Sequence, residues 1–147
     1  MELGELTSLK AYSIDTGSVF KMTLYPEDGV KPKNEGDSSR DKRFVIIGKT
    51  EDSAIVGSLL INSHINDKLF MVVGPYQHCI YPDQYEFLEG KERFIDCYSI
   101  KEVRFDRILE NGEYIGQISP EDIQEAIQKA KESPAISNRT LKKFNLL

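Results

Sequence analysis

Little in this sequence announces a chemistry outright. It has only two cysteines, Cys79 and Cys97, with no CxxC spacing. A disulfide framework is therefore not expected, and both read as reduced thiols packed among other side chains. His78 stands beside Cys79, but no paired ligand spacing accompanies it, so neither a metal nor a cofactor is expected. The longest apolar run, Leu69–Val73, has five residues, far short of the roughly 20 that a membrane-spanning helix needs. The opening MELGELTSLKAYSIDTG has neither the basic start nor the apolar stretch of a secretory signal, and a cytoplasmic protein is expected. There is no glycine-rich phosphate loop, zincin motif, nucleophile elbow or internal repeat. Positive charge is also in short supply: 19 Lys and Arg stand against 24 Asp and Glu, a net charge of -5. A polyanion would have to be met by a local cluster of cations against an unfavourable overall field.

What is present is one domain's worth of chain, 147 residues, patterned for strands. Residues 1–16 read as an N-terminal extension. In VFKMTLY, Phe20, Met22 and Leu24 alternate with Lys21 and Thr23, the period of a half-buried strand that Pro26 stops. Residues 26–42 contain a single aliphatic side chain, Val30, and read as a solvated charged loop. RFVIIGK and AIVGSLLINS are branched and apolar enough to be strands buried on both faces. KLFMVVG, CIYP with YEFL, RFIDCYSI and KEVRFDRI complete about six or seven strands, a spacing that suggests a small closed or nearly closed β-barrel.

One helix is clearly marked. Ser119 is its N-cap, Pro120 its first residue, and Asp122 stands three residues after the cap. Ile118 and Ile123 are placed as a hydrophobic staple, and Ile123, Ala126, Ile127 and Ala130 form one apolar stripe before Pro134. Residues 134–147, with Leu141, Phe144, Leu146 and Leu147, read as either a short second helix or a partner-binding tail.

Four segments, GSVFKMTL, DKRFVIIG, IDCYSIKEVRFDRI and IGQISPEDIQEAIQKA, follow one another in an order that resembles the PemK/MazF family. The resemblance runs from Gly17 to about Ile136 and implies a mainly β, SH3-like barrel with one C-terminal helix. It also implies a metal-independent endoribonuclease that cleaves single-stranded RNA by attack of the 2′-hydroxyl, a homodimer, and an antitoxin peptide as a partner. Carried over residue by residue, the arginine heading the family's Arg-Pro strand is Arg43, with Phe44 in place of the proline. The family's Thr/Ser position falls at Asn62 or Ser63, and His64 beside them is a proton-transfer candidate, because imidazole titrates near neutrality. Arg43, Ser63 and His64 are the implied catalytic set, with Arg40, Lys42, Asn62 and Lys68 as RNA contacts. Some members carry Arg-Cys-Asp on the late strand; here the triplet is Asp96-Cys97-Tyr98.

The alternatives are a catalytically inactive barrel that binds nucleic acid or protein, and an interaction protein that uses its apolar tail as a handle. Arg43 would then pair with Asp37 or Asp41, and His64 would be solvated. Tyr76, Tyr81, Tyr85 and Phe87 form the densest aromatic cluster, a stacking surface for bases or simply packing. Lys101, Arg104 and Arg107 alternate with acids, as on a solvated face.

Overall fold

A computed structural model describes residues 10–25, 40–65 and 69–147. Among these residues seven strands form one antiparallel sheet: β1 (Ser18–Leu24), β2 (Arg40–Lys49), β3 (Ile55–Asn62), β4 (Gln77–Ile80), β5 (Arg93–Asp96), β6 (Lys101–Arg104) and β7 (Glu113–Gln117). The order is β4-β5-β3-β2-β1-β7, with β6 also paired to β3. One flank of β3 is thus shared: β6 takes Ile55–Ser58 and β5 takes Ile61 and Asn62. β4 and β7 lie at the ends and do not pair with each other, so the sheet is mainly β but not closed.

The central strands are buried on both faces, as their branched apolar composition requires. On one face Val19, Val45, Ile47, Leu59 and Ile61 pack with residues from the C-terminal helices. On the other, Phe20, Met22, Phe44, Ile46 and Leu60 pack with Ile108 and with Ile14 of the N-terminal segment. Two layers of core on one sheet explain how so few strands hide so many aliphatic residues.

Among the described residues, besides a helical stretch over 10–13, four helices accompany the sheet: α1 (Phe70–Val73), α2 (Phe105–Asn111), α3 (Pro120–Glu132) and α4 (Asn138–Lys143). α3 begins as its cap chemistry dictates, the Ser119 side chain accepting from the Asp122 N–H. Ile118 and Ile123 are buried together, and Ile123, Ala126 and Ala130 face the sheet.

Several expectations are corrected. The C-terminal helix is not single: Ser137 caps α4 by accepting from the Thr140 N–H, and the end of the chain is core rather than handle. Phe144, 1% exposed, lies over two glycines, and a Cβ on Gly57 would stand 2.8 Å from its ring. Leu69–Val73 is not a strand. Phe70–Val73 coils into α1 and runs directly into a 3-10 turn at Gly74–Tyr76, where Pro75 has no N–H to offer a ladder. Glu86–Leu88 is a 3-10 turn, and the last predicted strand ends at Arg104, its FDRI half being α2. β7 was not anticipated. β2 begins at Arg40, inside the segment read as loop, and residues 26–39 lie outside the described residues. No helix among the described residues is long and apolar enough to cross a membrane.

Candidate nucleic-acid cleft

The strongest concentration of functional side chains lies where β1, β2, β3 and β5 run past the core. Lys21 pairs across with Arg43, Arg43 with Ile61, and Ile61 with Ile95. By strand alternation Arg43 shares a face with Val45 and Ile47, and Arg93 with Ile95. Both arginines therefore continue faces that turn apolar further along the strand, at Val45 and Ile47 on β2 and at Ile95 on β5. Together with Lys21, Lys42, Asn62, Ser63, His64 and Asp96 they line a cleft of about 450 Å³.

Arg43 and Arg93 are set against each other. The Arg43 side chain is only 16% exposed, and its Nη2 lies 3.7 Å from Glu89, which is itself 74% exposed. Arg43 Nη1 and Arg93 Nε are buried with no hydrogen-bond partner among the described residues. Burial, and then the charge of Arg43, hold the Arg93 guanidinium below its ordinary value, with Glu89 acting in the opposite sense. Two guanidiniums remain charged at neutral pH. Placing them side by side, partly out of water and short of acceptors, is costly unless an anion joins them. One solvated carboxylate at 3.7 Å meets little of that demand.

The other expected residues divide. Lys42 Nζ donates to Asn62 Oδ1 at 2.7 Å, so these two contacts are coupled across β2 and β3. Ser63 and His64 follow β3 and are both exposed; Ser63 Oγ and His64 Nδ1 are 3.4 Å apart. Arg40 is placed by its backbone as the first residue of β2, opposite Leu24, and Lys68 lies outside the described residues. Asp41 does not pair with Arg43; it accepts from Thr23 Oγ1 at 2.6 Å. Arg93 was missed, although RFI at 93–95 repeats the Arg-Phe-aliphatic head of RFV at 43–45. Asp96, the residue at which the late strand departs from the family pattern, accepts from Gln77 Nε2 at 2.9 Å and from the Tyr98 N–H at 3.0 Å.

The aromatic cluster does not supply a stacking surface as a unit. Tyr85 is buried and Phe87 packs against the core, while Tyr76 leans on Tyr98. Tyr85 is instead part of a clamp between β4 and α3. Its hydroxyl donates to the Asp122 carboxylate and accepts from the Ser119 N–H at 3.0 Å. His78 Nε2 lies 2.8 Å from Asp122, and its Nδ1 lies 3.5 Å from Glu125. These three residues bring one potential metal-ligating atom each within 4.8 Å of one another. Because a carboxylate faces each ring nitrogen, the group reads as a hydrogen-bonded clamp. The cysteines stay free thiols, and burial pushes buried Cys97 up to about 12.

Burial alone would raise the Asp122 pKa, but hydrogen bonds from Tyr85, His78 and Ser119 outweigh it and leave the carboxyl below its ordinary value. A depressed carboxyl contributes stability above its unfolded value of about 3.9 and loses it as pH falls through the folded value. Tyr85→Phe is therefore expected to cost about 1–3 kcal/mol at pH 7, with the gap to wild type narrowing below about pH 4. Urea unfolding at pH 7 and pH 3 checks this; an equal gap at both would remove the clamp from the account.

The chain matches no protein-family model and no curated protein.

Proposed function

We propose that the protein binds single-stranded RNA in this cleft and cleaves it without a metal, by attack of a 2′-hydroxyl on the adjacent phosphodiester. The observation that carries the reading is the Arg43–Arg93 pair, two half-buried guanidiniums with unpartnered nitrogens beside a histidine and a serine. In the reaction His64 takes the 2′-hydroxyl proton, the 2′-oxygen bonds to phosphorus, and the bond to the 5′-oxygen breaks. The proton is returned to that oxygen. Arg43 and Arg93 hold the charge that builds on the pentavalent phosphorane, and Ser63 supplies a hydrogen bond to it. The residue in the place of the family's late-strand arginine is Asp96, and Arg93, three residues earlier, would supply a cation to the same cleft instead.

The fold that best suits this reading is an SH3-like barrel left open between β4 and β7. A homodimer and an antitoxin peptide remain part of the proposal through the resemblance alone. A second reading, an RNA-binding module without catalysis, is favoured by one feature: among the described residues His64 meets only Ser63, so nothing else orients its imidazole.

Incubation of mixed single-stranded RNA in excess EDTA separates the two. Cleavage ending in 2′,3′-cyclic phosphates, blocked by a 2′-deoxy substitution at the cut, is the expected result. Tight binding with no cleavage at micromolar protein would leave the binding module.

A further inference from the structure

Beside the cationic cleft lies the most exposed apolar segment among the described residues. Leu69, Phe70, Met71 and Val72 are 50%, 52%, 88% and 52% exposed, and α1 buries none of its residues. Single exposed apolar residues are ordinary, but four in succession are not. The segment is held firmly in place. Gln77 Nε2 donates both to the Val73 carbonyl at 3.2 Å and to Asp96 Oδ1 at 2.9 Å, tying the end of α1 to β5 in the cleft wall. The Cys97 N–H, next along from β5, donates to the Tyr76 carbonyl at 2.8 Å. Leu69 and Val73 themselves line the cleft, so its cationic floor and this apolar ledge form one continuous surface.

An apolar ledge alone would not say what covers it. Its continuity with Lys21, Arg43 and Arg93 does, because the occupant must present negative charge and flat apolar faces at neighbouring positions. Single-stranded nucleic acid has that alternation, with phosphates on one side and unpaired bases on the other. A duplex conceals its base faces, and an acidic peptide lacks the fixed alternation of charge and flat face along its chain.

We infer that α1 is a base platform: a nucleotide whose phosphate sits between Arg43 and Arg93 lays its neighbouring base on Phe70 and Met71. The inference rests on the cleft reading above and adds the requirement that the strand be unpaired there. Phe70 supplies the ring face, and the flexible thioether of Met71 adapts to any base, so the platform selects for single strands rather than for sequence.

The test measures anisotropy of a labelled 2′-O-methyl oligonucleotide, which cannot be cleaved, against an abasic strand of equal length and against a duplex. Wild type is expected to bind the base-bearing strand about tenfold more tightly than the abasic one, with the duplex no better than abasic. Phe70→Ala/Met71→Ser changes exposed side chains only and is expected to remove that preference while leaving abasic binding unchanged. Equal binding of base-bearing and abasic strands by wild type overturns the platform and leaves the cleft standing. Failure to bind any strand overturns both. If the variant instead dissociates a dimer in sedimentation and keeps its base preference, the ledge is a subunit contact and the platform is wrong.

Discussion

Replacing Arg93 with alanine is expected to lower RNA cleavage by about 10²–10³-fold, the typical cost of losing one donor aimed at developing charge. The unfolding midpoint should stay unchanged or rise. The second half of this expectation carries the weight. Arg93 Nε is buried without a partner, and Arg43 raises the cost of its charge. Removing one of two like charges relieves that cost, and such relief commonly goes with lost function at sites assembled for a ligand. Arg43→Ala is expected to behave in the same way, because Glu89, its ionic partner among the described residues, is largely solvated. If either arginine served only the fold, its alanine variant would lose stability and activity together. Thermal unfolding and cleavage rates on the same samples decide between these outcomes.

Phe144→Ala is expected to cost about 3–5 kcal/mol, the usual range for deleting a fully buried phenyl ring. Phe144 is 1% exposed, among the last residues of the chain, and fills the space left open by Gly48 and Gly57. Leu141 and Leu146 are buried with it in the core that Ala126 and Ala130 of α3 also join. The tail therefore closes one face of the sheet. A loss below 1 kcal/mol in urea unfolding would show the tail to be dispensable and would return it to the role of a handle for a partner.

What could be read from the sequence was whatever local chemistry decides. The start of α3 was legible because a capping serine, a proline and a staple fall within a few residues and act on one another directly. β1, β2 and β3 were legible because alternation and branching describe a strand whatever its neighbours. Leu69–Val73 misled for the opposite reason: its composition suits a strand, but the segment runs straight into the turn at Gly74–Tyr76 and coils instead. In Phe105–Asn111 the mixed charges fit either period, and contact of Ile108 with the second core settles it as helix. The site was half legible. Arg43, Asn62, Ser63 and His64 lie on or just after two adjacent strands, and all four line the cleft. Arg93 reaches Arg43 only through the register of β5 on β3, which no local pattern encodes. Its one local sign was the repeated Arg-Phe-aliphatic head, meaningful only once both strands were known to flank β3.

The central claim is that Arg43 and Arg93 together hold a backbone phosphate. Its most direct test is the salt dependence of binding to an uncleavable 2′-O-methyl single strand, wild type against Arg43→Ala/Arg93→Ala. Each phosphate contact on a single strand contributes about 0.7 to the slope of log affinity against log salt. If the pair meets one phosphate, the double variant should bind more weakly with a slope shallower by about 0.7. An unchanged slope would mean that the phosphates lie elsewhere, and the pair would lose its place as the site.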